Sequence, residues 1–543
     1  MRTRTLDRVA KAFLAYVTSV IAVAAPLCGC TSLQEYLHNG FKVGPNYTRP
    51  PVPTEPGWID AADGRVKQES EDLSTWWRVF NDSQLNSLVD TAYRQNLSLR
   101  EAGTRVLQAR AQLGISAGNF FPQTQQMKAD YQRYAISTDV ANRGFAQLGT
   151  PTPTTLKRFY SQWDFGFSLA WELDFCGKYR RAIESSTASL DASVENFDAV
   201  LVTLLGDVAT YYVQVRTYQE RIKYANENVQ IQRQTLRIAE GRYQAGTADE
   251  LDVDQSRSTL AQTEATIPVY EIALRQANNQ LCVLLGVPPE DLQLKIGQAP
   301  IPAAPKDVVV GLPLELIHRR PDVREAERQA AAQSAEIGVA QSALYPSISI
   351  ASATPLTFGY SSEFVKNISR PTAFNGSIGP TFSWDILNYG RLLNNVHAQE
   401  AGFQNLVATY QNAMLTAQQD VENGIVTFLR AQDETKFESE SVEYARKALK
   451  IALAQYEAGT IDLTRVTQLE QALVQAEDLL AQARGEIALG LVQTYRALGG
   501  GWELGHPKDG RGQVTAVADV QAPPAPSSSA EELPALTACP RSR

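Results

Sequence analysis

Tyr243-Gln244-Ala245-Gly246-Thr247-Ala248-Asp249 and Tyr456-Glu457-Ala458-Gly459-Thr460-Ile461-Asp462 stand 213 positions apart. The same offset relates Trp171 to Trp384, Gly177 to Gly390, Asp207 to Asp420 and Gly286 to Gly499 without a gap. Upstream the offset becomes 224, matching Arg100-Glu101-Ala102 with Arg324-Glu325-Ala326 and Pro122 with Pro346. The first copy therefore carries eleven extra residues between Pro122 and Trp171, which belong in a loop. A duplication on this scale fixes the architecture before any local propensity is weighed. Each copy reads helix, strand, loop, strand, long helix, turn, long helix.

Leading into the first turn, Leu201, Leu204, Val208, Tyr211, Val215, Tyr218, Ile222, Ala225, Val229, Gln232, Leu236, Ala239 and Tyr243 advance in alternating steps of three and four. That is a heptad seam with one polar interruption. The second copy keeps the seam with smaller residues and Glu438 as an exception. A helix from about Thr187 to Ala245 spans roughly 90 Å at 1.5 Å per residue, more than a globular domain. Gly246 and Gly459 then supply the left-handed conformation that ends a helix, and the chain returns in a second long helix that closes near Gly286 or Gly499.

Before the long helix the period changes to two. Phe165, Phe167, Leu169, Trp171, Leu173 and Phe175 alternate with Gly166, Ser168, Ala170, Glu172 and Asp174; Ile378, Phe382, Trp384 and Ile386 do the same in the second copy. One apolar face with aromatics toward one end fits a transmembrane β-strand with an interfacial girdle. A soluble sheet with one buried face fits the strand equally well when it is read alone.

The first residues carry Arg2, Arg4, Arg8 and Lys11 ahead of an apolar run from about Ala12 to Leu27, the pattern of a signal peptide. It ends Leu27-Cys28-Gly29-Cys30, which resembles a bacterial lipobox and makes Cys30 the expected lipidation site. Residue 31 is Thr rather than the Asp that usually retains such lipoproteins at the inner membrane, so the outer membrane is favoured. Five cysteines are too few and too scattered for a disulfide framework. The net charge of −9 gives no footprint for nucleic acid. No later apolar run reaches eighteen residues, so membrane crossing would require a closed β-barrel.

Four strands per chain cannot close a membrane barrel, because the smallest need about eight. Long heptad helices likewise need neighbours, and both demands are met by a ring of identical subunits. Here the residues carry a resemblance, over about Gly44 to Trp502. Val43-Gly44-Pro45-Asn46-Tyr47, Leu316-Ile317-His318-Arg319-Arg320-Pro321-Asp322-Val323-Arg324, the paired Tyr-x-Ala-Gly-Thr turns and Ala497-Leu498-Gly499-Gly500-Gly501-Trp502 look like the TolC-type outer-membrane efflux proteins. The likeness is to the NodT-type lipoprotein branch serving resistance-nodulation-division (RND) pumps. The resemblance implies a mixed α and β fold: a homotrimer with a twelve-stranded transmembrane β-barrel, a twelve-helix α-barrel in the periplasm, and a mixed equatorial belt. It also implies a periplasmic adaptor, an inner-membrane RND transporter and outer-membrane lipid as partners.

By that likeness the tip that meets the adaptor would comprise Tyr243, Gly246, Thr247, Tyr456, Gly459 and Thr460, although the glycines would serve as helix caps in any case. Relatives place aspartates about two turns after the second Gly-Thr, where this chain has Arg465 and Gln468. Asp252 is then the candidate to replace them at the constriction or to pair with Arg465, the alternative being a solvated helix face. The Arg319-to-Asp322 stretch reads as ordinary helix-start chemistry. The expected divisions are a leader over 1–29, a lipidated segment over 30–84, repeats over 85–300 and 309–502, and a disordered tail over 503–543.

His38, His318, His397 and His506 lack metal-ligand spacing, and no phosphate loop, nucleophile elbow or zinc-binding cysteine pair occurs. No catalytic residue, metal or cofactor is expected. The reading is a passive drug-efflux exit channel. The alternatives are the same channel serving heavy-metal efflux or type I protein secretion, and a non-conducting structural envelope lipoprotein.

Overall fold

The computed structural model describes residues 33–68, 72–137, 158–313, 319–351, 358–377 and 379–506. Cys30, the leader, His318 and the tail beyond His506 lie outside the described residues. In chain order the elements are α1 (Leu33–His38), β1 (Val66–Lys67), α2 (Ser83–Gln95), α3 (Leu97–Gly118), β2 (Thr124–Ala135), β3 (Phe159–Leu173), α4 (Lys178–Gln244), α5 (Glu250–Leu284), α6 (Gln293–Ile296) and β4 (Val308–Val309). The second copy follows as α7 (Pro321–Ser342), β5 (Ser347–Ala351), β6 (Phe358–Ser362), β7 (Phe374–Gly376), β8 (Gly379–Ser383), α8 (Arg391–Glu457) and α9 (Leu463–Ala497).

The duplication is carried helix by helix. α3 and α7 each have 22 residues, α4 and α8 each 67, and α5 and α9 each 35. At 1.5 Å per residue the longest pair run about 100 Å. α4 starts nine residues before the heptad seam suggested, at Lys178 instead of Thr187. The cause is local: the Asp174 carboxylate accepts from the amides of Tyr179 and Arg180 at 3.0 and 3.1 Å, satisfying donors that a helix start leaves open. The first turns thus form on capping chemistry, ahead of any apolar stripe.

The main sheet is four ribs wide. β2 pairs antiparallel with β3 from Thr124↔Ala170 to Ala135↔Phe159. On its other edge β3 meets β5 at 170–173 and β6 at 163–167, so β5 and β6 lie in line. β8 and β7 continue the pattern against β5 and β6.

Two antiparallel hairpins, α4–α5 and α8–α9, lie side by side through α4 and α9. α3 packs on α4, and α7 packs on both α4 and α8. The larger core surrounds the middle of α4, where Leu201, Leu205, Val208 and Tyr212 meet Trp76, Trp77, Phe428, Leu491 and Tyr495. A separate cluster, including Ala239, Val253, Tyr456, Leu463, Val466 and Leu473, fills the hairpin ends. Among the described residues no helix is long and apolar enough to cross a membrane.

Two straps hold the chain ends. Buried Arg181 donates from Nε to the Val43 carbonyl at 3.0 Å and from Nη2 to the Gly44 carbonyl at 2.9 Å, fixing the Val-Gly-Pro-Asn-Tyr segment against α4. At the other end, residues Trp502–Gly505 form a 3-10 turn, and buried His506 Nε2 lies 2.9 Å from Asp198 Oδ1. Arg324 sits over the Trp502 ring at 4.4 Å. Residues 503–506, expected as part of a tail, belong to the fold instead, because this contact and the ring contact tie residues 502–506 to the core. Arg320 has the structural role read from the sequence: it pairs with Asp322 at 2.6 Å and Asp420 at 3.2 Å and donates to the Ala497 carbonyl.

α8 and α9 cross at two glycines. A Cβ on Gly424 would stand 2.8 Å from the Thr494 amide nitrogen, and one on Gly490 would stand 2.7 Å from that of Phe428. Gly490→Leu should therefore separate the hairpin, at a cost of about 1–3 kcal/mol or more. The expected outcome is a lower thermal midpoint than for a surface change such as Glu440→Leu, read by circular dichroism of the detergent-solubilised protein.

Candidate functional site at the helical tip

Both turns close in the same way. The Gly246 amide donates to the Tyr243 carbonyl at 2.9 Å, and the Thr247 amide and hydroxyl both donate to the Arg242 carbonyl at 2.9 and 3.1 Å. The second copy repeats this with Gly459 to Tyr456 at 3.0 Å, and Thr460 amide and hydroxyl to Gln455 at 2.9 Å. Gly246 and Gly459 have φ of 70° and 75°, the left-handed conformation such caps need. The expected tip residues thus share one end of the molecule, but their surroundings differ. Tyr243 is 46% exposed, whereas Tyr456 is 1% exposed.

Tyr456 is buried because Arg242 closes over it. The guanidinium carbon lies 4.5 Å from the ring centroid, Nη1 donates to the Tyr456 carbonyl at 2.6 Å, and Nη2 donates to the Thr247 carbonyl at 3.3 Å. One side chain therefore ties the two turns together. The Tyr456 hydroxyl in turn donates to Asp252 Oδ2 at 3.2 Å. Burial, then the Asp252 charge, pushes the Tyr456 hydroxyl up to about 12, so it stays a donor at neutral pH.

Within one chain Asp252 does not meet Arg465 among the described residues. Asp252 faces Tyr456 instead, and Arg465 and Gln468 are exposed on the first turns of α9. The reason is geometric: Asp252 and Arg465 occupy equivalent positions in the two copies, and the α5 position faces the neighbouring hairpin while the α9 position turns away from it.

Sequence reasoning missed Arg242 and Glu470. Arg242 has only Gln455 as its repeat counterpart, so the duplication does not flag it. Glu470 left a readable signal. Leu463, Val466, Glu470, Leu473, Glu477 and Leu480 run at heptad spacing on α9, with carboxylates at seam positions. Glu477 is partnered by Asn228 at 2.6 Å and by Arg446. Glu470 is 2% exposed and receives only the Thr235 hydroxyl. Burial raises its carboxyl to about 7, the Thr235 hydrogen bond opposing the shift.

Glu470 and Glu477 belong to a polar ladder between α4 and α9. Its other rungs are Arg221 to Asp478 at 2.7 Å, Arg484 to Glu220 at 2.8 Å and Arg496 to Asp207 at 2.9 Å. These rungs add polar contacts to the α4–α9 join, whose middle is apolar around Leu205, Leu491 and Tyr495. Nothing in this arrangement provides a nucleophile with a base; its chemistry is that of a seam that can part and reclose.

The raised Glu470 carboxyl predicts a pH dependence. Below about pH 4.5 the group is neutral whether folded or not, and its contribution is fully present. As pH rises the unfolded chain loses the proton first, so stability falls until the folded carboxyl ionises near pH 7, a loss of about 3 kcal/mol. Amide hydrogen exchange of residues 228–239 and 463–477, corrected for intrinsic rates, should show weaker protection at pH 8 than at pH 5. Glu470→Gln should remove that difference, and an unchanged difference in the variant would reject this assignment.

Comparison with known proteins places this architecture. The family model described as outer membrane efflux protein matches residues 88–287 and 312–500, the two copies in turn. The chain is 30% identical over 436 residues to the pyoverdine export outer membrane protein OpmQ of Pseudomonas putida, covering 80% of this chain and 89% of that one. It is 29% identical over 496 residues to nodulation protein T of Rhizobium leguminosarum bv. viciae, covering 89% and 96%. The solved outer-membrane channel OprN superposes with a TM-score of 0.76 at 31% identity, over 85% of this chain and 99% of that one. With both repeats matched in order and the fold shared along its length, this chain belongs to the outer membrane efflux protein family and is an outer-membrane efflux component.

Proposed function

We propose that three copies of this chain close into the exit duct of a tripartite RND-type pump, carrying small organic molecules from the periplasm to the exterior. The observation that carries this is the pair of open edges on each chain. Across the hairpins the helices run α5, α4, α9, α8, leaving α5 and α8 at the flanks. On α8, Phe437, Tyr444 and Ile451 recur every seven residues at 65, 66 and 60% exposure. On α5, Leu251, Val269, Ile272 and Val283 are 72, 60, 59 and 60% exposed.

The sheet is open in the same sense, since among the described residues β2 pairs only with β3, and β7 and β8 only with β6 and β5. Open strand edges invite pairing, and two different edges on one chain pair head to tail, which yields a ring. Three copies would supply twelve strands and twelve long helices. Such a wall has a continuous lumen and needs no chemistry of its own; energy would come from the inner-membrane transporter, with an adaptor docking where Tyr243 and the Gly-Thr turns are exposed.

In this reading Arg242, Tyr456 and Asp252 latch the tip shut from within one chain, and Arg465 and Gln468 line its mouth. The substrate class follows the relatives: the pyoverdine export named for one of them argues for small organic cargo. Lipidation at Cys30 would add an anchor beside the barrel.

Two outcomes test the reading. Native mass spectrometry of detergent-extracted protein should give a trimer, with intact mass showing acylation at Cys30; an unlipidated monomer would overturn both. Wild-type protein expressed alone should leave cells vancomycin-resistant, whereas Arg242→Ser with Tyr456→Phe should sensitise them and raise single-channel conductance several-fold. Unchanged conductance would remove the latch assignment while leaving the duct intact.

A further inference from the structure

The lipid-facing and lumen-facing sides of the first-copy strands separate cleanly. Directly paired residues in an antiparallel ladder project to the same face. Met127 with Phe167, Ala129 with Phe165, and Tyr131 with Trp163 therefore share one face; Lys128 with Gly166, Asp130 with Asp164, and Gln132 with Gln162 share the other. The first set is apolar and the second polar. On β3 the apolar face runs from Leu173 through Trp171, Leu169, Phe167 and Phe165 to Trp163, a stretch of eleven residues. That matches the roughly 9–11 tilted residues that cross a hydrocarbon layer.

The next position on the apolar face breaks the pattern. Ser161 pairs with Arg133, one rung beyond the Tyr131–Trp163 ring contact at 4.5 Å between centroids. Arg133 lies over the Phe159 ring at 6.0 Å, and Arg158 lies over the same ring at 5.3 Å. Both arginines are exposed, and neither is ion-paired among the described residues. This end of β2 and β3 is remote from the helices, because α3 enters and α4 leaves at the other end. Two guanidiniums thus stand on an aromatic shelf just past the apolar band, on the lipid side, at the exterior rim.

We propose that Arg133 and Arg158 form a phosphate-binding site for the phosphorylated glucosamine disaccharide of outer-leaflet lipopolysaccharide. Guanidinium groups engage phosphate oxygens bidentately, and stacking on Phe159 holds both in place with little loss of freedom on binding. Trp163 and Tyr131, one rung below, lie level with the start of the acyl chains. A free inorganic anion would use only the two arginines, whereas a glycolipid also covers the aromatic shelf. The site rests on the reading that these strands cross the membrane.

The test uses the detergent-extracted full-length protein, purified hexa-acylated lipid A as the probe, and native mass spectrometry as the readout. Wild-type protein should retain lipid A, and Arg133→Gln with Arg158→Gln should retain it about tenfold less or worse, as expected for lost charge-assisted contacts. Lys128→Gln, on the lumen face of the same strand, should behave as wild type. Equal retention by the double variant, an equal loss in Lys128→Gln, or retention of phosphatidylglycerol or fully dephosphorylated lipid A as strong as that of lipid A would each overturn the site. Conductance is recorded on the same preparations. Absence of channels in the wild type would overturn the barrel reading itself, whereas conducting variants that keep lipid A would overturn the rim site alone.

Discussion

A helix of 67 residues cannot bury its apolar seam inside a globule, and nearly everything else in this chain answers that constraint. α4 needs partners along about 100 Å. α5 supplies one side and α9 the other, while α3 and α7 also pack on it. Because α8 repeats α4 by duplication, the same demand arises twice, and the two solutions lie side by side. What they leave unmet is an apolar flank on each outer helix and a bare edge on each side of the sheet. A single chain is therefore an unfinished surface, and its exposed Phe437, Tyr444 and Ile451 are the unfinished part.

The chemistry of the helical joins divides the work. Near the tip the contact within the second hairpin is apolar, as Val442, Leu449, Ala452, Val466, Leu473 and Leu480 show. Between the hairpins, ion pairs from Arg496–Asp207 down to Arg221–Asp478 add to an apolar middle around Leu205 and Leu491. Apolar packing is close to additive in area and resists separation everywhere, whereas a polar rung exchanges its partner for water at modest net cost. In the proposed duct these polar rungs are the contacts that would part at least cost. Glu470 is the rung with the weakest partner, since it has a hydroxyl where Glu477 has an arginine.

Most of the fold was legible in the sequence, because periodicity and duplication are long-range and redundant. The heptad steps from Leu201 to Tyr243 and the alternation from Phe165 to Phe175 each rest on several residues, so one exception such as Gln232 does not hide them. What escaped rests on single side chains. The start of α4 depends on Asp174 reaching two amides, and the anchoring of residues 502–506 on His506 meeting Asp198. At the tip, the Gly-Thr turns were readable from the repeat. Arg242 was not, because its role exists only once the two turns lie side by side.

That contrast locates specificity in the places where the two copies disagree. Tyr243 and Tyr456 are equivalent in sequence, yet one is exposed and the other sealed beneath Arg242, whose counterpart is Gln455. Asp252 holds the Tyr456 hydroxyl, while its counterpart Arg465 faces outward. Glu470 is buried, and its counterpart Arg257 is 58% exposed in its side chain and paired with Glu240. Pro268 interrupts α5 where α9 has Ala481. A perfectly symmetric duplication would make six equal hairpins from three chains and a tip with no reason to favour one motion. Each of these substitutions makes one hairpin differ from the other in what it must break to move, so in the proposed ring the asymmetry between copies would give alternating strong and weak joins.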